Sequence, residues 1–509
     1  MKKQFFLTAL AIALTALPLL ANDSLKPKGP DEDGTKPALT NIAGQGFYNS
    51  SAYAYLTELS DNVGGRVTGS PAAQKAIDWG VAKMNTIGLS NVHDEKWSMW
   101  KGWTRGAASA QLIAPLNRTL TVDAMGWTGS TPSGGAEAEV VIANLFDLDS
   151  EIANLSRFRG RIVMMKPEGA PKKNFWLIFA QYGDFLKDLR KAGAVAVIGG
   201  EGGFKAEGMH LTHTGILGFA QDFDLPVVDM AMEDESQLER LLASGKTVRV
   251  RLNVQNTFTG SPVESANVVG DIVGREHPEQ IVVVGAHLDS WDLSEGATDN
   301  GTGTTAVLAA ADAIIKSGQR PRRTIRFVLF TGEEQGLLGS LAYVKQHANE
   351  MKYHVACVVL DDGQGPIKEF QLGGRSDLLD SMKAFAESLD NIREIGVSDK
   401  REFGTDTGPF ILAGLPGINL DQDSPDYKYT HHSAADSLEQ VKPEVLTQDA
   451  TIMALTAFWL ADRPERFASP WPAERTAKML RDKGDYDMLK SFNLWPFGDL
   501  GLGQGPSAN

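Results

Sequence analysis

Five side chains of types that bind divalent cations follow predicted strands or precede a predicted helix in the second half of the chain. They are two imidazoles and three carboxylates, namely His287, Asp299, Glu334, Asp361 and His432. This donor set suits zinc or a similar ion, and five ligands can hold two ions if one carboxylate bridges them. Paired ions polarise a carbonyl group and lower the pKa of a water molecule between them. The residue types therefore predict a two-metal hydrolytic site.

The acidic residues around these ligands have distinct predicted roles. Asp299 lies in the run Gly-Ala-Thr-Asp-Asn-Gly at 296–301, where small neighbours allow close backbone approach to two cations. Glu333 is placed to accept the proton of the attacking water and to pass it to the leaving amine. Asp289, two residues after His287, is expected to hold the second imidazole nitrogen and so to set the tautomer.

These residues are positioned by an alternation of strands and helices after residue 280. Continuous apolar strands are predicted at 281–285, 324–330, 354–360 and 417–420, and amphipathic helices at 304–316, 338–347, 378–389 and 445–460. The alternation predicts a mostly parallel sheet with helices on both faces. Ligands of such sheets lie beyond the carboxyl ends of the strands. The first three strands end in His-Leu-Asp, Thr-Gly-Glu-Glu and Asp-Asp-Gly, so we expect their polar residues to converge at one edge.

The first half of the chain has a different pattern. Residues 50–90 are predicted to be helical, because Ser70 and Pro71 are typical of a helix start and an apolar face follows them. Short α/β elements follow, with strands at 140–142, 162–165, 194–198 and 226–228 and a helix at 185–191. These elements carry no obvious chemical cluster.

Two sets of residues outside the main motifs are interpreted as structural. His210 and His213 form an isolated His-x-x-His pair, which is interpreted as a surface or core feature and not as a metal site. Trp97, Trp100 and Trp103 are interpreted as packing between domains.

The composition of the 509 residues sets the class of protein. The length corresponds to two or three domains, and 42% hydrophobic with 22% charged residues is ordinary for a globular chain. The net charge of −15 argues against nucleic acid or an anionic membrane as a partner, since both attract basic surfaces. Cys357 is the one cysteine, which excludes intramolecular disulfides and cysteine-ligated zinc.

The N-terminus is typical of an export signal. Lys2 and Lys3 precede an apolar run at 5–21, and polar residues follow it. The run contains a proline and is short for a stable membrane anchor. We therefore expect cleavage after Ala21 and an exported mature protein, either periplasmic or secreted.

Four short runs occur in a fixed order between residues 285 and 440. They are His-Leu-Asp-Ser at 287–290, Gly-Ala-Thr-Asp-Asn-Gly at 296–301, Glu-Glu-Gln-Gly at 333–336 and His-Ser-Ala-Ala-Asp at 432–436. With the flanking Gly-Arg-Val-Thr-Gly-Ser at 65–70, this set resembles the co-catalytic zinc exopeptidases of the bacterial aminopeptidase and glutamate carboxypeptidase type. Each run alone is common in proteins, but the ordered set is specific.

The resemblance implies an α/β fold of two parts. One is a phosphorylase/hydrolase-like zinc peptidase domain with a mostly parallel central sheet flanked by helices, and the other is an inserted protease-associated-type α/β domain that caps the site. The implied division is a signal peptide at 1–21, a flexible leader at 22–40, the catalytic domain at 41–125 and 256–465, the inserted domain at 126–255 and a C-terminal tail at 466–509. The last ten residues are expected to be loose, and a cis peptide bond is expected after Asp299.

The resemblance also implies how the ligands are shared. It places His287 and Asp361 on one ion and Glu334 and His432 on the other, with Asp299 bridging and Glu333 as base. The glycine two residues after Asp361 selects it over its neighbour Asp362, and the spacing to Asp436 selects His432 over His431. His431 is left to contact the substrate or the transition state.

The implied function is that of an exported exopeptidase with two Zn²⁺ ions per chain. It would hydrolyse terminal bonds of short peptides or dipeptides as a carboxypeptidase or dipeptidase, through a hydroxide held between the ions. An aminopeptidase of the same family is the nearest alternative, because the metal core serves both ends of a peptide. A one-zinc glutaminyl cyclase and a non-catalytic binding ectodomain are further alternatives, against which the full ligand set argues. A homodimer is implied by the resemblance alone, and Tyr427 and Tyr429 are nearby candidates for stabilising the oxyanion.

Overall fold

The computed structural model describes residues 29–200 and 209–498. Two eight-stranded sheets and a two-stranded ribbon, Gly102–Thr104 with Thr257–Thr259, make up the β-structure of this part of the chain. The predicted signal peptide and the ten C-terminal residues predicted to be loose lie outside the described residues.

The first sheet has a parallel centre and antiparallel flanks. Its order is Ser90–Met99, Val263–Ile272, Arg323–Phe330, His277–His287, His354–Val359, Gly417–Gln422, Ile367–Gln371, Gly396–Ser398. The four strands from the third to the sixth position pair in parallel. On either side of them, the second and seventh strands pair antiparallel with their inner neighbours. The predicted α/β fold with a parallel centre is confirmed, within a mixed sheet.

The register of the central strands brings their carboxyl ends to one edge. His287 lies opposite Phe330, and Gly285 lies opposite Val359. The segments that continue from these strands, with Asp361 among them, therefore leave the sheet side by side, and the predicted convergence is confirmed.

Both faces of this sheet are covered. Val282 and Val284 enter the core that contains the long helix Pro443–Asp462. Val283 points to the opposite face and packs in a second core with Cys357. The two directions follow from the two-residue period of a strand.

The predicted helices form, with somewhat different bounds. The helices are Pro30–Asp33, Lys36–Tyr48, Ala52–Asn62, Pro71–Ile87, Leu148–Ile152, Phe175–Ala192, Met232–Ala243, Thr302–Lys316, Leu338–Gln346, Leu379–Glu387, Thr407–Leu412, Tyr427–Thr430, Pro443–Asp462, Ala473–Asp482 and Tyr486–Ser491. The Ser70 hydroxyl accepts a hydrogen bond from the Ala73 N–H at 3.1 Å, so it caps its helix as predicted. None of the helices in the described ranges is long and apolar enough to cross a membrane.

The second sheet begins earlier in the chain than the predicted inserted domain. Its order is Arg118–Leu120, Ala108–Ala114, Arg249–Val254, Ala136–Asn144, Ile162–Lys166, Ala196–Ile198, Val227–Met230, Val122–Ala124. Three of these strands precede residue 126, the predicted boundary. They are short, and two of them pair with segments more than 100 residues away, which local sequence does not reveal.

Tryptophans fill the junction between the two sheets, as predicted. Trp97 and Trp103 belong to one buried cluster with Trp127 of the second-sheet region and Trp291 of the loop after His287. The rings of Trp103 and Trp127 are 5.7 Å apart between centroids.

The described part of the predicted flexible leader is helical and packed. Leu39 is buried in the larger core, and Asp33 accepts a hydrogen bond from the indole of Trp459 at 3.0 Å. The leader was predicted from its prolines and acids, but in the structure it contacts the helix Pro443–Asp462. Helices in the C-terminal tail are likewise packed, with Leu480 and Leu489 buried.

Candidate metal centre

The five predicted ligands lie together at the carboxyl edge of the first sheet. His287 Nε2 is 2.9 Å from Asp361 Oδ1 and 3.3 Å from Asp299 Oδ1. His432 Nε2 is 2.9 Å from Glu334 Oε2 and 3.4 Å from Asp299 Oδ2. The two oxygens of Asp299 thus face two different imidazoles.

The chemistry of this cluster fits divalent cations. Among the described residues, Asp299 Oδ2 and Glu334 Oε1 are buried without a hydrogen-bond partner. A buried carboxylate oxygen without a partner costs free energy, which a bound cation would offset. His287, Asp299 and Asp361 offer ligand atoms that lie within 4.8 Å of one another. The donor set of imidazoles and carboxylates is one that zinc accepts.

The orientation of His287 is set by a backbone group. Its Nδ1 donates to the Asp289 carbonyl oxygen at 2.9 Å, so Nε2 is the nitrogen that faces the carboxylates. Asp289 thus holds the second imidazole nitrogen, as predicted, through its backbone carbonyl, and its carboxylate is 3.8 Å from Nδ1. That carboxylate accepts from the Thr68 hydroxyl at 2.8 Å and from the Glu333 N–H at 3.4 Å.

The Asp299 segment is held by Asp436 and Arg66, for which no role was predicted. The Asp436 carboxylate accepts from the Thr298 N–H at 2.5 Å and from the Asp299 N–H at 3.3 Å. Buried Arg66 donates to the carbonyl oxygens of Leu288 and Gly296. Both Asp436 and Arg66 occur in the motifs that carry the family resemblance, which was the one signal available. The peptide bond between Asp299 and Asn300 is cis, as expected.

The structure separates the adjacent acids Asp361 and Asp362. Asp361 Oδ1 accepts from Asn300 Nδ2 at 2.8 Å and faces His287. Asp362 Oδ2 accepts from Asn419 Nδ2 at 3.0 Å. Asp361, which was predicted as the ligand, is therefore the one of the two acids that faces His287.

Burial controls the protonation of the paired glutamates. Burial raises the pKa of Glu333 well above its usual range, and the nearby charges of Asp361 and Glu334 raise it further although His287 lowers it. Burial also raises the pKa of Glu334 to about 7, against the lowering effect of His432. Burial opposes ionisation of Asp299, but the hydrogen bond from His287 and the charge of His432 prevail and lower its pKa.

His431 lies beside the cluster in a position open to two roles. Its ring stacks on that of His432 with centroids 3.7 Å apart, and its Nε2 is 4.0 Å from Asp299 Oδ2. With Asp299 and His432 it forms a group that can hold a cation. The predicted contact with substrate and a place among the ligands are both compatible with this position.

A cavity of about 350 Å³ opens onto the cluster. Asp362 and Glu402 line it beside the predicted ligands, and burial raises the pKa of both acids. Phe175, Trp176 and Phe179 also line it. A molecule in this cavity would meet both acidic side chains and aromatic rings.

The fold and the cluster define a class, that of α/β proteins with a candidate metal-binding site of carboxylates and imidazoles at the sheet edge. Residues 267–457 match the peptidase family M28. Carboxypeptidase Q of Mus musculus is 32% identical over 437 residues, which cover 85% of this chain and 90% of that protein. The chain belongs to peptidase family M28, and it is a peptidase by family.

Solved structures share the fold. A peptidase M28 precursor from Shewanella amazonensis aligns with a TM-score of 0.76 at 28% identity, over 86% of this chain and 99% of that one. A zinc aminopeptidase from Bacillus subtilis aligns with a TM-score of 0.62 at 22% identity, over 82% and 97% of the two chains. The relatives thus include a carboxypeptidase and an aminopeptidase by name.

Proposed function

We propose that this chain is a zinc-dependent exopeptidase that binds two Zn²⁺ ions and cleaves dipeptides and other short peptides. The observation that carries the proposal is the position of Asp299, whose Oδ1 is 3.3 Å from His287 Nε2 and whose Oδ2 is 3.4 Å from His432 Nε2. A carboxylate that faces two imidazoles supports two ions that share it. The similarity to a zinc aminopeptidase and to carboxypeptidase Q supports the metal and the reaction class.

Each residue of the cluster has a proposed task. His287 and Asp361 would hold one ion, Glu334 and His432 the other, and Asp299 both. When bound, zinc supplies polarisation of the scissile carbonyl and a lowered pKa of a nearby water. Glu333 accepts the proton of the attacking water on its carboxylate and donates it to the leaving amine. Its raised pKa favours this role, because the group then exchanges protons closer to neutral pH.

The charges of the cavity support recognition of a free amino terminus. Asp362 and Glu402 are acids beyond the proposed ligands and base, and no Lys or Arg is among the described residues that line the cavity. A substrate ammonium group would find two acidic side chains there, whereas a substrate carboxylate would find no Lys or Arg among these described lining residues. In a dipeptide the scissile bond is both the first and the last, so the similarity to carboxypeptidase Q remains compatible with amine recognition.

The aromatic lining of the cavity supports a preference for apolar side chains. Phe175, Trp176, Phe179 and Phe219 line the cavity, and burying an apolar side chain against them is favourable by about 1.5–3 kcal/mol. We therefore propose that short peptides with a large apolar residue beside the scissile bond are the preferred substrates.

Metal content measured together with turnover tests the proposed chemistry. We expect two zinc ions per chain, loss of dipeptide hydrolysis on chelation, and recovery when zinc is restored. Asp361→Asn should lose bound zinc, while the adjacent Asp362→Asn should retain it as a matched control. Full turnover by the metal-free protein would refute the proposal, and one zinc per chain would favour the cyclase alternative.

Dipeptides blocked at either end test the proposed direction. We expect a dipeptide amide to be cleaved and an N-acetylated dipeptide to resist, because acetylation removes the ammonium group that Glu402 and Asp362 would bind. Cleavage of the acetylated dipeptide alone would instead establish a carboxypeptidase.

We also propose that the chain is exported after loss of residues 1–21. The basic start, the apolar run and the small residue Ala21 support this. Fractionation of cells that produce the full chain, followed by N-terminal sequencing of the exported form, tests it.

A further inference from the structure

A short segment of the second-sheet region lies against the loop that carries the paired histidines. His213 forms an antiparallel bridge with Ser433. The Thr214 N–H donates to the His432 carbonyl oxygen at 2.9 Å. The His213 ring Nδ1 lies 2.7 Å from the His431 carbonyl oxygen, and since a carbonyl only accepts, Nδ1 is the donor. Two successive carbonyl groups of the His431–His432 pair are thus held by this segment.

The backbone of the histidine loop needs such support. His432 has a φ of +54°, in the left-handed region that residues with a side chain seldom adopt. A conformation of this kind persists only where surrounding contacts hold it. The loop follows a helix of a single turn, Tyr427–Thr430, so a regular element provides little of that support.

The segment that contacts the loop is itself anchored. The His213 N–H donates to Asp229 Oδ2 at 2.8 Å, and the His213 side chain is buried. The Thr214 hydroxyl accepts from Arg105 Nη2 at 3.0 Å. Arg105 in turn pairs with Asp292 at 2.7 Å, just beyond the first histidine motif. The second-sheet region therefore reaches both histidine motifs through one connected set of hydrogen bonds.

We propose that His213 is a positioning residue, whose Nδ1–H holds the His431 carbonyl and so directs His432 Nε2 toward Glu334 and Asp299. The inference rests on the proposed function, because the cation at stake is the one that His432 would hold. The isolated His-x-x-His pair then has a role other than metal binding, because His213, in the second-sheet region, supports the loop that carries His432.

Zinc binding by three variants of the full chain tests this role. His213→Ala removes the donor. His213→Asn places an amide N–H near the position of Nδ1, and His213→Gln keeps the size of the side chain but moves its donor away. We expect Ala and Gln to weaken one of two zinc sites by about 10–100-fold, as is usual for groups that orient a ligand, and Asn to restore most of the affinity. His210→Asn, at the exposed partner of the pair, is the matched control and should bind zinc as the wild type does.

Two readouts separate positioning from general destabilisation. Competition with a chromophoric chelator measures each zinc affinity, and the visible spectrum of the Co²⁺-substituted protein reports ligand geometry at the site. We expect altered spectra for the Ala and Gln variants and a wild-type spectrum for Asn. Folded Ala and Gln variants with wild-type affinities and spectra would overturn the inference, and so would an Asn variant as weak as Gln. A wild-type chain that binds fewer than two zinc ions would instead refute the proposed function itself.

Discussion

Glu333 and Glu334 are neighbours in the chain whose surroundings differ. Glu334 Oε2 is 2.9 Å from His432 Nε2, as expected of two ligands of one ion. Glu333 Oε2 is 4.0 Å from His287 Nε2, and Glu333 lines the cavity. This difference supports the proposed roles of Glu334 as a ligand and of Glu333 as the base.

Removal of the Glu333 carboxylate should separate catalysis from metal binding. We expect Glu333→Gln to lower kcat by about 10²–10⁴-fold, since a positioned base contributes that much, while both zinc ions remain bound. Kinetics and metal content on the same preparation measure this. Glu334→Gln is the contrasting variant, for which loss of zinc is expected, and a Glu333→Gln variant with near wild-type kcat would contradict the assignment.

Among the elements, the helix Phe175–Ala192 joins the second-sheet region to the cavity. Asn174 caps its start by accepting from the Leu177 N–H at 2.9 Å. Phe175, Trp176 and Phe179 of its first turns line the cavity, and residues further along the helix, Phe185 among them, pack in the core of the second-sheet region. One helix thus packs in the core of the second-sheet region and forms a wall of the cavity beside the ligand cluster.

Removing an aromatic ring from this wall should change the selectivity for dipeptide side chains. We expect Trp176→Ala to lower kcat/KM about tenfold for dipeptides with a large apolar residue and to leave glycine-containing dipeptides nearly unchanged, because only the former lose buried apolar area. Tyr48→Ala is a suitable control, since Tyr48 is 90% exposed. An equal loss on every dipeptide would contradict a role in side-chain binding.

A substitution of Ser70 tests whether the predicted cap of the helix Pro71–Ile87 contributes to stability. Ser70→Ala should lower the free energy of unfolding by about 1 kcal/mol, because the Ala73 N–H loses its partner. Urea denaturation measures the change. Ser376→Ala, at an exposed position, should leave the midpoint unchanged, and an equal midpoint for both variants would contradict the cap.

For the whole molecule, pH acts on stability through buried groups such as His354. Its Nε2 is 3.0 Å from the Tyr343 hydroxyl and its Nδ1 is 3.1 Å from the Glu350 carbonyl oxygen. Burial lowers the pKa of His354 to about 4. The unfolded chain then binds the proton more readily than the folded chain, so the contribution of this residue to stability falls as the pH falls below about 6.5.

The contribution of His354 can be isolated by comparing two proteins at two pH values. Between pH 7 and pH 5 the wild type should lose about 2 kcal/mol more unfolding free energy than His354→Gln, which does not titrate there. Urea denaturation of both proteins at both pH values measures the difference. Equal losses in the two proteins would show that this histidine does not carry the effect.

The sequence by itself determined the ligand types and the strand-to-helix alternation of the catalytic part. Continuous apolar strands such as 281–285 and the capped helix start at Ser70 are local signals, so they were predicted with little error. The ordered motifs predicted Asp299, Glu333 and Glu334 as site residues, and the structure brings all three to the lining of one cavity.

Only the tertiary structure decided which groups support the ligands. The Asp289 carbonyl oxygen and not its carboxylate contacts His287, and Asp436 and His213 hold loops far from them in sequence. The extent of the second sheet depends on pairing between strands far apart in the sequence, and the leader helices are held by packing against distant residues. Hydrogen bonds and packing across hundreds of residues leave no local periodicity, and this is the physical reason why they could not be predicted from the sequence.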